Sequence, residues 1–168
     1  MRDARLLAWP DKRLRTPAAP VPEVTDEIRR IWDEMIGIMD AMPGVGLAAP
    51  QMGVMLRLAV VDASEHRDRR IRLANPTVLQ ASARMNLYEE ASPNLPGVSA
   101  KVSRPRALTV RYLDETGTIT RRDFVGLEAT SVQHQIDHLE GRMYFDRLSK
   151  LKRDMLLKRA AKLTGDGR

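Results

Sequence analysis

The chain has no cysteine. Disulfide staples are therefore excluded, and so is the thiolate, the commonest soft ligand for zinc or iron. Aromatic residues make up only 4% of the 168 positions, which leaves too few for the stacking platforms of single-strand nucleic-acid binders. No apolar run approaches the roughly 18 residues of a membrane span. The first ten residues carry charges but no long apolar stretch or cleavage pattern. The expectation is a cytoplasmic protein with no membrane partner. What is plentiful is ordinary: 43% hydrophobic and 30% charged residues suit one globular domain over 1–168. A formal net charge of +6 favours contact with polyanions such as ribosomal RNA, without pointing to sequence-specific nucleic-acid recognition.

Histidine is also scarce, with three in the chain. Two of them fall in Gln133-His134-Gln135-Ile136-Asp137-His138-Leu139-Glu140-Gly141, which reads as the end of a helix stopped by Gly141. Residues four apart lie one above the other on a helix, so His134 and His138 can present two imidazole nitrogens to one metal ion. That is half of a metal site. In an HExxH motif the residue after the first histidine is glutamate, which takes a proton from metal-bound water. Here it is Gln135, and an amide is no general base near pH 7. The third histidine, His66, sits in a charged run at 64–70 and reads as an exposed loop residue.

Residues 1–22 hold four of the ten prolines and read as an extended arm lying over the domain. Thr25 can cap a helix that starts with Asp26 and Glu27 and repeats Ile28, Ile31, Trp32, Met35 and Met39 along one face. Met42-Pro43-Gly44 ends it. The run Gly44 to Gln51 is small and apolar, with Gln51 its one polar side chain and two glycines that permit close backbone approach. Strands are expected at 57–62, then at 71–75 and 77–81 with a bend at Asn75-Pro76, and in a hairpin at 107–114 and 118–124. The segment 88–97 carries two prolines and is expected to be irregular. A second helix is expected over 127–139. At about 100° per residue, Val132, Ile136 and Leu139 lie opposite the histidines, while Leu127, Thr130 and Ser131 share the histidine side. A last, amphipathic helix is expected over 146–163. Leu148, Leu151, Met155 and Leu163 face the body there, and Lys150, Lys152, Arg153, Lys158, Arg159 and Lys162 face outward.

Taken in order, GVGLAAPQ at 44–51, EEASPNLPG at 89–97 and QHQIDHLEG at 133–141 resemble the three motifs of peptide deformylase. Asp11, Leu14, Arg15, Pro20 and Val21 of the arm, and the Asn75-Pro76 pair, are similar to that family too. The resemblance implies an α+β fold in which antiparallel sheets surround a central helix bearing the histidine pair, followed by a C-terminal helix. It implies a ferrous or zinc ion held by two histidines and a cysteine, and hydrolysis of the formyl group from the N-terminal methionine of nascent polypeptides. Gln51 then matches the glutamine that helps hold the oxyanion, and His134 and His138 match the histidine ligands. Val45, Gly46, Leu47, Pro93, Leu127, Thr130 and Ser131 match the substrate pocket.

The departures fall where the chemistry lies. Ser92 stands at the cysteine ligand, and a serine hydroxyl does not readily deprotonate to bind a borderline ion. Pro93 follows it and lacks the N–H that the family aims at the oxyanion. Gln135 replaces the catalytic glutamate, whose general-base contribution is about 10²- to 10⁴-fold. Thr130 and Ser131 are polar where the family faces methionine with apolar side chains. The expectation is a divalent metal held weakly or not at all, little or no deformylase activity, and a protein that acts by binding peptide N-termini. Two alternatives stand beside it. One is an active amide hydrolase that uses Ser92, Glu89 or Glu90 as the substitute ligand and one of those glutamates as base. The other is a ribosome-associated binding protein docking through its basic C-terminal helix.

Overall fold

The computed structural model describes residues 5–165. Thr25 caps the first helix, α1 (Asp26–Ala41), by accepting the Ile28 N–H, and Asp26 and Glu27 lie at its positive end. Its inner face buries Ile28, Trp32, Met35, Ile36, Ile38 and Met39. Strands β1 (Gly46–Ala48), β2 (Leu58–Val61), β3 (Ile71–Ala81), β6 (Ala107–Leu113) and β7 (Ile119–Val125) form one sheet in the order β1-β2-β3-β6-β7. All of its pairings are antiparallel.

The sheet lies between two helices, which explains β2. Leu58 and Val60 join the α1 core, while Ala59 and Val61 face Ala129, Val132 and Ile136 of the central helix α2 (Gly126–Leu139). Side chains alternate along a strand, so a strand covered on both faces is a continuous apolar run. Val132 and Ile136 pack into this core, while Leu139, expected on the same face, packs with Ala18 and Ala48. Helix α2 ends at Gly141, whose φ of 77° and contact with the Arg15 backbone admit no side chain.

Four expectations are corrected. Segment 88–97 is not irregular, because β4 (Met85–Ser92) and β5 (Leu95–Pro105) form a separate two-stranded sheet joined at Pro93-Asn94. Its prolines sit at the turn and in a strand of a two-stranded sheet, where open edges tolerate a missing N–H. The pieces at 71–75 and 77–81 are one strand, β3, carrying a register shift beside a left-handed Asn75. The Asn75 side chain accepts from Val21 N and donates to Val21 O, at 2.7 and 2.8 Å, and so ties down the arm.

The arm itself contains one helical turn, Lys12–Arg15, and buries Leu6, Leu14, Ala18 and Val21; residues 1–4 lie outside the described residues. The fourth correction concerns the last helix. A short turn (Tyr144–Arg147) precedes it, and α3 (Lys150–Thr164) begins only after Ser149, which caps it. Its buried residues are Leu156 and Ala160, whereas Leu151, Met155 and Leu163 are 71%, 63% and 61% exposed. Apolar residues are spread around this helix, so docking on β5, not periodicity, selects the stripe that includes the small Ala160. Among the described residues no helix is long and apolar enough to cross a membrane.

Candidate active site

Helix α2 sets the site. His134 and His138 are one turn apart, and their Nε2 atoms lie 3.2 Å from each other. His134 Nδ1 is 2.7 Å from a Glu90 oxygen. A carboxylate only accepts, which assigns the Nδ1 proton to His134 and leaves a lone pair on its Nε2. The facing Nε2 of His138 must then either donate to it or share a cation with it. Burial, with His134 and Arg104 adding to it, holds the His138 imidazole well below its ordinary pKa, so it is neutral near pH 7. The ring of Tyr144 stacks on His134 with centroids 6.0 Å apart. Burial, reinforced by Glu90, pushes the Tyr144 phenol up to about 12, so it too stays uncharged.

A buried ion network fixes these groups from behind. Arg104 donates to both Glu90 oxygens at 2.7 and 3.0 Å and to Asp137 at 2.8 Å. Arg147 donates twice to Asp137, at 3.1 and 2.6 Å. Burial alone would raise the Glu90 and Asp137 pKa values. Hydrogen bonds from His134 and Arg104 to Glu90, and from Arg147 and Arg104 to Asp137, outweigh it and hold both carboxyls below the usual range.

Gln51 is held by its own loop and by the β4–β5 turn. Its Oε1 accepts the Ala48 N–H at 2.9 Å, and its Nε2 donates to Asn94 Oδ1 at 2.7 Å. The same Asn94 oxygen accepts the Ser92 hydroxyl at 3.1 Å. Asn94 Nδ2 in turn donates to Leu7 O, at 2.7 Å, so the arm closes the back of the site.

In front of α2 is a pocket of about 270 Å³. Of the residues expected in the site, Val45, Gly46, Gln51, Pro93, Leu127, Thr130, Ser131, His134 and Gln135 line it. Gly46 lies against α2 so closely that a Cβ there would come within 2.5 Å of Gln135 Nε2 and 2.6 Å of Ser131 Oγ. The next residue alternates to the other face of β1. Leu47 is therefore buried in the α1 core and is not part of the pocket, which corrects its assignment. Ser92 and His138 are buried behind the wall and do not line the pocket. Two of the lining residues, Thr130 and Gln135, each bury a side-chain oxygen, Oγ1 and Oε1, without a hydrogen-bond partner.

Comparison with known proteins shows the family. The family model described as polypeptide deformylase matches residues 4–154. This chain belongs to the polypeptide deformylase family. It is 41% identical over 157 residues to the peptide deformylase of Hydrogenovibrio crunogenus, covering 94% of this chain and 92% of that one. It is 42% identical over 167 residues to the peptide deformylase of Rhodopseudomonas palustris strain BisB5, covering 96% and 95%. The crystal structure of a peptide deformylase from Legionella pneumophila superposes with a TM-score of 0.88 at 35% identity, covering 98% of this chain and 95% of that one. The chain thus has the deformylase fold, and the family reaction is removal of the formyl group from an N-terminal methionine.

Sequence reasoning missed several contributors. Tyr88, Met42 and Pro43 line the pocket, and Arg104, Asn94 and Tyr144 hold its residues in place. Tyr88 was legible in principle. It lies two residues before Glu90 on β4, and a strand puts such residues on one face. Arg104 offered no local signal, because its partners are 14 and 33 residues away.

Proposed function

We propose that this deformylase-family chain takes the N-terminus of a formylated peptide into the pocket in front of α2 and releases the formyl group slowly or not at all. The observation that carries the reading is Gln135 on the pocket wall at the position of the family's proton-transferring glutamate, its Oε1 without a partner. An amide can hold a substrate N–H or carbonyl but cannot take the proton of an attacking water.

Peptide recognition is supported by the edge of the sheet. β1 is the terminal strand, and the bond from Asp62 N to Val45 O puts Val45 among the residues bonded to β2. Antiparallel pairing alternates, so the N–H and C=O of Gly46 point away from β2, where an extended peptide can pair with them. Gln51 keeps one N–H of Nε2 beyond the one given to Asn94, free for an acyl oxygen.

The family's metal is tested by the donors present. Two nitrogens bound at about 2.0–2.1 Å to a tetrahedral ion lie about 3.3 Å apart, close to the 3.2 Å between His134 and His138. The third position is the neutral Ser92 hydroxyl, already donated to Asn94. Glu90, the substitute ligand or base, is locked by Arg104, and Glu89 accepts from Ser99. These residues do not make the family's three-ligand set, and no step is routed through a metal.

The test is hydrolysis of a formyl-Met-Ala-Ser peptide by protein incubated with ferrous or zinc ion without oxygen, compared with Gln135→Glu and Ser92→Cys/Gln135→Glu. The double variant is expected to raise kcat/KM by about 10²-fold or more. Wild-type turnover that Gln135→Glu fails to accelerate would overturn the proposal.

A further inference from the structure

The edge of the large sheet opposite β1 is β7, whose ladder with β6 runs from Ala107↔Val125 to Leu113↔Ile119. Just beyond the two ends of that ladder, Gly126 N bonds to Arg106 O and Asp114 N to Thr118 O. Antiparallel pairs alternate, so Thr120, Arg122 and Phe124 bond to β6, while the N–H and C=O of Ile119, Arg121, Asp123 and Val125 point out of the sheet. Among the described residues no strand pairs with that side. The same four residues share one face, and all are exposed, Ile119 by 71% and Val125 by 66%.

The charges on this face are unmatched within the chain. Arg121 lies directly opposite Arg111 of β6, a like-charge pair that costs stability, and among the described residues neither has an ion-pair partner. Asp123 accepts the Thr109 hydroxyl at 2.6 Å and has no cation of its own. Charge on an edge strand ordinarily blocks pairing with another chain. Here the order apolar, basic, acidic, apolar is complementary to its own reverse.

A second copy of β7 can meet the first antiparallel about a two-fold axis, outward residue against outward residue. An axis through Arg121 sets Arg121 against Arg121 and Ile119 against Asp123. One through Asp123 sets Asp123 against Asp123 and Arg121 against Val125. An axis through Arg122 sets Arg121 against Asp123 and Ile119 against Val125, each twice, and bonds all four outward residues of each copy. Opposite charges and apolar pairs stabilise a ladder and like charges oppose it, which selects this register. Its one like-charge pair is Arg122 with its copy at the axis. Each Arg122 guanidinium leans along its own strand over the Phe124 ring, 5.4 Å from the centroid, and antiparallel strands send the two in opposite directions.

We infer that two copies of this chain associate β7 to β7 about an axis through Arg122, extending the sheet across both. A strand of seven residues makes a small interface, so the association is weak.

The experiment is sedimentation velocity of the full chain from about 10 to 500 µM, over which the mass should rise from 19.0 kDa towards twice that value. Arg121→Asp and Asp123→Arg should each weaken association about tenfold or more, and an equimolar mixture of the two should restore it as a heterodimer. The absence of native cysteine lets an introduced one report the register. Residue 122 and its copy form a non-bonded pair with Cα atoms about 4.5 Å apart, within disulfide reach, whereas residue 121 and its copy lie about 7–8 Å apart. Arg122→Cys should therefore give a covalent dimer under oxidised glutathione, and Arg121→Cys should stay monomeric. Thermal unfolding checks that the charge variants are folded, and the cysteine pair tests the register without touching Asp123. A mass that stays at 19.0 kDa at 500 µM overturns the inference, as do equal cross-linking of the two cysteine variants and folded charge variants whose mixture does not associate.

Discussion

Towards the C-terminal end of α2, Asp137 lies under Arg104 and Arg147 with both carboxylate oxygens bonded. Along the same helix, Thr130 and Gln135 line the pocket and each bury a side-chain oxygen with no partner. Asp137, Thr130 and Gln135 are all buried, so the difference is not one of exposure. The first is satisfied by the chain itself, as buried charges must be. The second leaves two oxygens without a partner from the chain.

Three changes would break or sharpen that contrast. The largest effect is expected at Arg104, where Arg104→Met leaves Glu90 and Asp137 buried with their common partner gone. Such a break costs about 3–5 kcal/mol, to be read as a lowered midpoint in urea unfolding with an unchanged slope. A loss below about 1 kcal/mol would show that the network contributes no more than a surface pair.

Acid should weaken the same region next. Glu90 and Asp137 have folded pKa values below their unfolded ones. Their contribution is therefore present above the unfolded value of about 4 and is lost as pH falls through the folded one. The buried His138 imidazole is also held low, so the urea midpoint should begin to fall below about pH 6.5, and Glu90 and Asp137 should steepen the fall below about pH 4. In Arg104→Met the steepening should begin at higher pH. A midpoint that is flat down to pH 3 would contradict the sign.

The smallest effect should have the opposite direction. Thr130→Val removes an unpartnered hydroxyl without changing shape, and its stability should be unchanged or higher by up to about 1 kcal/mol. Clear destabilisation in thermal unfolding would mean that the hydroxyl is bonded in solution, and would close the contrast.

How much of this was legible before folding is best seen residue by residue. The Thr25 cap, the stop at Met42-Pro43-Gly44, the hairpin around Glu115-Thr116-Gly117 and the histidine pair on α2 are local patterns, each read within a few residues of itself. The motif order pointed to the family and to most of the pocket wall. Leu47 was misplaced because neighbours on a strand go to opposite faces, and only the two-helix packing says which face is which. The β4–β5 hairpin was hidden because proline content marks turns, while the ladder from Ser92↔Leu95 to Met85↔Pro105 depends on pairing across the turn.

By itself, then, the sequence determined the first helix with its Thr25 cap, the central helix, the hairpin turn and the chemistry available at Ser92, Pro93, Thr130 and Gln135, since these depend on residue type and short-range spacing. Only the tertiary structure decided that Arg104 joins Glu90 to Asp137, that α3 buries Leu156 and Ala160 instead of Leu151 and Met155, and that Thr130 keeps its hydroxyl free while Ser131 does not. Those outcomes turn on which surfaces far apart in the chain come into contact, and local periodicity carries no record of that.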